Sequence, residues 1–312
     1  MYNKAYGIIE TLAPLHVGAT AGEETGNLNL IFRDQFTQTG IIPGSSIRGR
    51  LRSEMRLARQ YYLEEEVKKK GIKISADTKF EIVNAQGNND EVTKLEWLVK
   101  KAEELSISTP PGKDENLWYG HEAVAGKANS TTESLVKFEY ASILWLPVFC
   151  PRQPIVWVTC PRWLKRYQRI SEIKEQLPEV YTGSSGLDEN KLFFNFGFLT
   201  IDHPKKNLKN WFPDGKERPA VVVGDDEIAM IHDMALYRQT RIAMEKDEKR
   251  VADGKFLGVE ALPEETILIF PIAYRPDEKG QTWKPFTGKA DIYLGGLESI
   301  GFGHCELTLK GI

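Results

Sequence analysis

The chain has 312 residues, 41% hydrophobic and 27% charged, enough for one large domain or two small ones. Its 41 basic and 44 acidic residues leave a net charge of −3, which argues against a free-standing, non-specific nucleic-acid binder but leaves room for a local basic groove. No apolar run approaches the ~18 residues of a membrane span, no signal-peptide core is expected at the N-terminus, and the three cysteines read as reduced thiols of a cytoplasmic protein without a zinc site.

In chain order, residues 5–17 (AYGIIETLAPLHV) predict a first strand ending in a turn, 21–25 a small-residue loop, and 27–33 a short strand or hairpin arm. Residues 42–52 read IPGSSIRGRLR: a proline stop, a Gly44-Ser45-Ser46 hinge and an arginine-studded helix start. Ser45 or Ser46 is placed to cap that helix, because a hydroxyl accepts from the orphan N–H groups of the first turn. Free N–H groups at the positive end of a helix also make an anion site. At about 100° per residue, Ile47, Leu51, Met55, Ala58 and Tyr62 share one stripe, and Arg48, Arg52, Arg56 and Arg59 share the next, within an arc of about 80°. Four guanidinium groups along one edge suit a polyphosphate better than a small anion; a solvated arginine face is the alternative. No GxxxxGK[ST] loop occurs, so a Walker-type site does not fit.

Residues 60–115 are highly charged, with glycine, asparagine and Pro-Pro breakers, and predict an inserted, exposed region holding a helix at 92–105. Residues 135–147 and 155–159 predict buried strands. Trp157, Trp163 and Tyr167 lie among Arg152, Arg162, Lys165, Arg166 and Arg169; aromatics interleaved with cations can stack bases, although such aromatics are more often core. Further on come a strand turning helical (221–235), a hairpin with a charged tip (241–256), a core strand (266–272), and a glycine-rich turn feeding a last strand (293–309). Strands outnumber helices, which predicts an α+β fold with helices on one face of an antiparallel sheet, a ferredoxin-like (RRM-like) core with insertions. Such a sheet with a glycine-rich edge can engage single-stranded RNA.

Three segments, LHVGA (15–19), IPGSSIRGRLR (42–52) and LGGLESIGFGHCEL (294–307), occur in this order and together resemble the RAMP superfamily, the RNA-binding proteins of CRISPR effector complexes. LWYGHEA (117–123), FEYASILWLPV (138–148), VTCP (158–161) and GKFLGVEALPEETIL (254–268) make the chain similar, more narrowly, to the repeated backbone subunit of type III complexes, especially the Cmr type. The resemblance implies a single RAMP domain over 1–312, a ferredoxin-like palm with a β-hairpin thumb at 237–257. Met244 or Phe256 would be the wedge that displaces a guide–target base pair. It implies guide RNA (crRNA) and complementary target RNA as partners, together with other type III subunits or copies of this chain. Gly44, Ser45, Ser46, Arg48, Gly49, Arg50, Arg52 and Arg56, with Gly295, Gly296, Gly301 and Gly303, would hold the RNA.

In active members of that family an aspartate in the loop after the L-H-x-G segment supports cleavage of target RNA. Counting back from Arg33-Asp34 reaches Leu28 or, with a one-residue gap, Asn29, and no carboxylate lies between Glu24 and Asp34. An amide neither holds a divalent cation nor acts as a base as a carboxylate does. The expectation is therefore a subunit that binds guide and target but cuts weakly or not at all, with no tightly bound cofactor. The alternative is an active endoribonuclease dependent on Mg²⁺ or Mn²⁺, with Asp34, Glu23 or Glu24 supplying the carboxylate. His16 matches a family histidine and could polarise a 2′-OH, or it merely ends a strand. Glu260 matches a family acidic residue near the cleavage site, or it is an ordinary exposed carboxylate; Ala261 stands where the family has a tyrosine. A third reading, an α+β hydrolase acting on a small phosphate ester, lacks a nucleophile signature.

Overall fold

The structure, a computed structural model, describes residues 1–18, 28–83, 88–121, 131–195, 197–244 and 251–312, without the side chains of 242–244 and 251–257. The first predicted strand forms β1 (Asn3–Thr11), followed by the short strands β2 (Leu28–Asn29) and β3 (Ile41–Ile42). Helix α1 (Gly44–Lys69) leads into the pair β4 (Glu81–Val83) and β5 (Asn89–Glu91), then α2 (Lys94–Glu104) and the five-residue α3 (Glu115–Tyr119). Next come β6 (Val136–Phe138), β7 (Ala141–Phe149), β8 (Ile155–Thr159) and α4 (Pro161–Ser171). A small hairpin of β9 (Lys191–Phe194) and β10 (Gly197–Thr200) precedes β11 (Ala220–Val222) and α5 (Ile228–Ala235). The chain ends with the long pair β12 (Tyr237–Met244) and β13 (Val251–Ala261), then β14 (Ile267–Tyr274), β15 (Lys289–Tyr293) and β16 (His304–Lys310).

The main sheet runs β11-β8-β7-β14-β1-β16-β15. Its centre, β7-β14-β1-β16, is antiparallel throughout, and this order fits the ferredoxin-like pattern. The fold departs from expectation in where the helices lie. Successive residues of a strand point to opposite faces. Leu268 and Phe270 share a core with Ile47, Leu51 and Met55 of α1, whereas Ile267 and Ile269 share one with Leu164 and Tyr167 of α4. The helices therefore cover both faces of the sheet, not one. No second α-helix lies among the described residues between β14 and β16; β15 and the glycine-rich loop, with a 3-10 turn at Glu298–Ile300, fill that place.

Helix α1 also corrects two local expectations. Pro43 is the N-cap and no side chain caps the helix, so Ser45 and Ser46 already lie inside the first turn. Gly44 is required at the start because a Cβ there would come within 2.6 Å of the Phe138 carbonyl oxygen. The buried stripe runs Ile47, Leu51, Met55, Leu63, Val67; Ala58 is exposed and Tyr62 half-buried. A step of four residues turns the face by about 40°, so the stripe winds around the helix. The first turns meet the sheet, and the last turns meet α2, where Leu63 and Val67 join Trp97, Leu98 and Ala102 in a separate small core. Within 60–115, Leu63, Val67, Trp97, Leu98 and Ala102 are buried. Among the described residues no helix is long and apolar enough to cross a membrane.

Candidate nucleic-acid interface

The predicted arginine edge of α1 is engaged by the chain itself. Arg48 donates to the Tyr119 carbonyl, and Arg52 reaches the Asn116 amide oxygen at 3.5 Å. Arg59 bonds both oxygens of the buried Glu115 at 3.3 and 3.4 Å, with Arg56 at 3.9 Å from the same carboxylate. Asp114 caps α3 by accepting from Asn116 N and Leu117 N, and so fixes Glu115 in front of the arginines. The stripe read as four offered guanidinium groups is a clamp between two helices. Arg50, outside that stripe, points elsewhere: it pairs with Glu54 at 2.6 Å and stands 3.9 Å from Glu298 in the glycine-rich loop. Gly49 has nothing within 4 Å of where its Cβ would be.

That loop is stitched to the LHVGA turn. Gly296 N donates to the His16 carbonyl at 2.9 Å, Gly303 N to the Pro14 carbonyl at 2.9 Å, and Leu294 N to the Gly303 carbonyl. Gly295, Gly301 and Gly303 have φ of +80°, +93° and +83°, in the left-handed region. A Cβ at Gly295 would fall 2.1 Å from the His16 carbonyl oxygen; one at Gly296 would meet nothing. Phe302 anchors the loop by packing on Val259 and Ala261 of β13 and against the Tyr237 ring at 6.0 Å. The small side chain at Ala261 leaves the space that Phe302 shares.

His16 is buried, and its Nδ1 lies 2.6 Å from the Glu260 carbonyl oxygen. It joins the turn, the loop and the hairpin base. Glu260 is buried as well, not the exposed carboxylate of the alternative reading: it accepts from Arg33 at 3.1 Å and from Arg238 at 3.2 and 3.3 Å. Arg33 also pairs with Asp233. The neighbouring His232 imidazole, with the Arg33 guanidinium, holds Asp233 down to about 2. His232 is fully buried, its pKa pushed below the usual histidine range by that burial; its Nε2 accepts from Gly40 N at 2.9 Å. This Arg238–Glu260–Arg33–Asp233–His232 chain was not legible as a unit, because its members come from four separated segments.

Asn29 lies on β2, which pairs in parallel with Gly258 and Val259 of β13, so it borders the hairpin base beside Glu260. Asp34 does not face that base with a free carboxylate: its Oδ1 accepts from Phe36 N, Thr37 N and the Thr37 hydroxyl, closing a local turn. Two guanidinium groups bracket Glu260, and among the described residues no three His, Cys, Asp or Glu side chains converge. Glu23 and Glu24, and the side chains of Met244 and Phe256, lie outside the described residues. Of the aromatics expected among cations, Trp163 and Tyr167 are buried and Trp157 is half-buried beneath the Arg218 guanidinium. Cys150, Cys160 and Cys305 are all buried free thiols.

Solved structures of the same fold share little sequence with the chain. The type III-B Cmr-beta bound to cognate target RNA, seen by cryo-electron microscopy, gives a TM-score of 0.58 at 17% identity, covering 98% of this chain and 96% of that one. Oligomeric Cmr4 from Pyrococcus furiosus gives 0.59 at 17% identity over 100% of both chains. A further crystal structure of Cmr4 gives 0.55 at 16% identity over 99% of both. No curated protein sequence matches the chain. The family model of the RAMP superfamily matches residues 8–306, nearly the entire chain, and on that match the chain belongs to the RAMP superfamily.

Proposed function

We propose that this chain is a guide-RNA-binding backbone subunit of a type III CRISPR ribonucleoprotein, holding crRNA and target RNA while cutting target weakly or not at all. The observation that carries the reading is the meeting of three separated segments on one edge. The α1 start, the 294–303 loop and the His16 turn are joined there through Arg50–Glu298 and Gly296–His16, beside the base of the β12–β13 hairpin. Free N–H groups at an uncapped helix start, the unneeded glycines Gly49 and Gly296, and Arg50 together suit a phosphate backbone passing close to the main chain. Other type III subunits or copies of this chain are the expected neighbours, in line with the oligomeric Cmr4 it resembles. Weak cleavage is supported by the amide at Asn29, by Glu260 held between two arginines, and by Asp34 Oδ1 committed to its turn.

The test is binding and cleavage on one preparation. Full-length chain should bind a labelled single-stranded crRNA, and Arg50→Glu should weaken binding about tenfold or more, as expected where a charge-assisted phosphate contact is reversed. With annealed target and Mg²⁺ or Mn²⁺, wild type should yield little product, and Asn29→Asp should gain it. Robust wild-type cutting that disappears in Asp34→Ala sinks the weak-cleavage reading; failure to bind RNA sinks the whole proposal.

A further inference from the structure

The cations around α4 that failed to find their expected aromatic partners converge on something else. Arg162, Lys165, Arg166 and Arg169 line an open pocket of about 560 Å³ with Tyr140, Pro161 and a single carboxylate, Asp225. That carboxylate is occupied: its Oδ1 accepts from Arg162 N at 2.9 Å. Arg166 is structural, donating to the Tyr140 carbonyl at 3.0 Å, lying 3.4 Å from Glu139, and stacking its guanidinium 4.3 Å from the Tyr140 ring centre. The side chains of Arg162, Lys165 and Arg169 are exposed and have no hydrogen-bond or ion-pair partner among the described residues. Spaced i, i+3, i+7, they form one stripe extending about 10 Å along the helix. In a chain of net charge −3 three exposed cations on one face make a local positive patch that attracts an anionic partner.

The pocket also touches the interface already described. The Phe138–Glu139 backbone lies against Gly44 at the start of α1, as close as 2.6 Å to a Cβ placed there, and Tyr140 is the next residue. We propose that the α4 stripe and Tyr140 form a second site for single-stranded RNA, continuing the phosphate path from the first turn of α1 across the Glu139–Tyr140 turn. This deepens, and rests on, the reading of the chain as RNA-binding. A row of three cations fits successive phosphates, and the exposed Tyr140 ring, with Arg166 stacked on one face, has its other face for a base.

The experiment is fluorescence anisotropy of labelled single-stranded RNA with the full chain over a salt series. Wild type is compared with a triple Arg162→Gln, Lys165→Gln, Arg169→Gln variant and with Tyr140→Ala. The triple variant should bind at least tenfold more weakly, and its slope of log K against log salt should be shallower by about 2, at ~0.7 per single-strand phosphate contact. Tyr140→Ala should weaken binding about tenfold with the slope unchanged, the mark of lost stacking rather than lost charge. Unaltered thermal melting of both variants keeps the comparison clean. Wild type that binds while the triple variant matches it in affinity and slope overturns the α4 site and leaves the proposed function standing. The same match combined with lost self-association in sedimentation assigns the face to an acidic protein surface and also overturns it. Wild type that fails to bind RNA overturns the proposed function, and this site with it.

Discussion

Gly295 and Gly296 are neighbours with opposite demands on the fold. Gly295 holds φ at +80° with the His16 carbonyl oxygen 2.1 Å from any added Cβ, so Gly295→Ala must move the loop off the turn. Urea denaturation should show a loss of about 2 kcal/mol. Gly296→Ala meets nothing and should stay within about 0.5 kcal/mol, yet it should weaken RNA binding if the ribose-phosphate chain passes over that main chain. His232 makes a second residue-scale prediction. Gly40 N donates to Nε2, so Nε2 is unprotonated and the proton sits on Nδ1, 3.6 Å from Asp233. Protonating Nε2 breaks that bond in a site also facing Arg33 and Glu260. Since the folded pKa lies below the unfolded value of about 6.5, the unfolded chain binds more protons as pH falls through and below that value, and stability falls with it. The slope is at most about 1.4 kcal/mol per pH unit. His232→Gln should flatten it. Asp233, lowered to about 2, adds a further loss as pH falls below about 4.

At the scale of elements, apolar runs marked the strands within 135–147, 155–159 and 266–272; β7 and most of β14 are buried on both faces, β8 alternates in burial, and the first run divides into β6 and β7. Helix α2 was legible through its period, and Thr93 and Glu96 close a capping box that fixes its start. The partner of the α1 arginines was not legible. It is a five-residue helix whose glutamate lies 56 residues from Arg59, and a local pattern cannot separate a solvated arginine face from one neutralised at such a distance. The candidate interface was legible as three segments in order; what joins them, a main-chain bond from Gly296 to His16 and the packing of Phe302 on β13, is long-range and carries no local signature. The clamp predicts that Glu115→Gln costs about 2 kcal/mol, because it leaves Arg59 buried beside a neutral amide. RNA affinity should not fall in that variant, since no positive charge is removed. Arg50→Glu should do the reverse, costing little stability and much affinity, and thermal melting beside anisotropy separates the two.

The whole molecule divides its stability unevenly. The sheet is covered on both faces, by α1 through Ile47, Leu51 and Met55 and by α4 through Leu164 and Tyr167, and its central strands carry fully buried residues such as Ile9, Leu144 and Phe270. The α2 region with the β4–β5 pair instead closes on a small separate core of Leu63, Val67, Trp97, Leu98 and Ala102, seated on the last turns of α1. Burial of apolar surface is the main favourable term in folding, so the smaller core should open first, as a cooperative unit below the global unfolding free energy. Native-state hydrogen exchange should show amides of α2 exchanging through a lower-energy opening than those of β1, β7 and β14. Leu98→Ala, which removes a fully buried side chain worth about 2–5 kcal/mol, should lower protection across α2 and the end of α1 and, because global unfolding also opens that core, should lower it by a similar amount in the central strands. Phe270→Ala should lower protection in the central strands and leave the α2 opening unchanged, because its ring lies in the core shared by the sheet and α1, which stays closed when the smaller core opens. A loss of α2 protection in Phe270→Ala as large as that of the central strands would show instead that the region folds as one unit with the sheet, and that α1 transmits every change along its length.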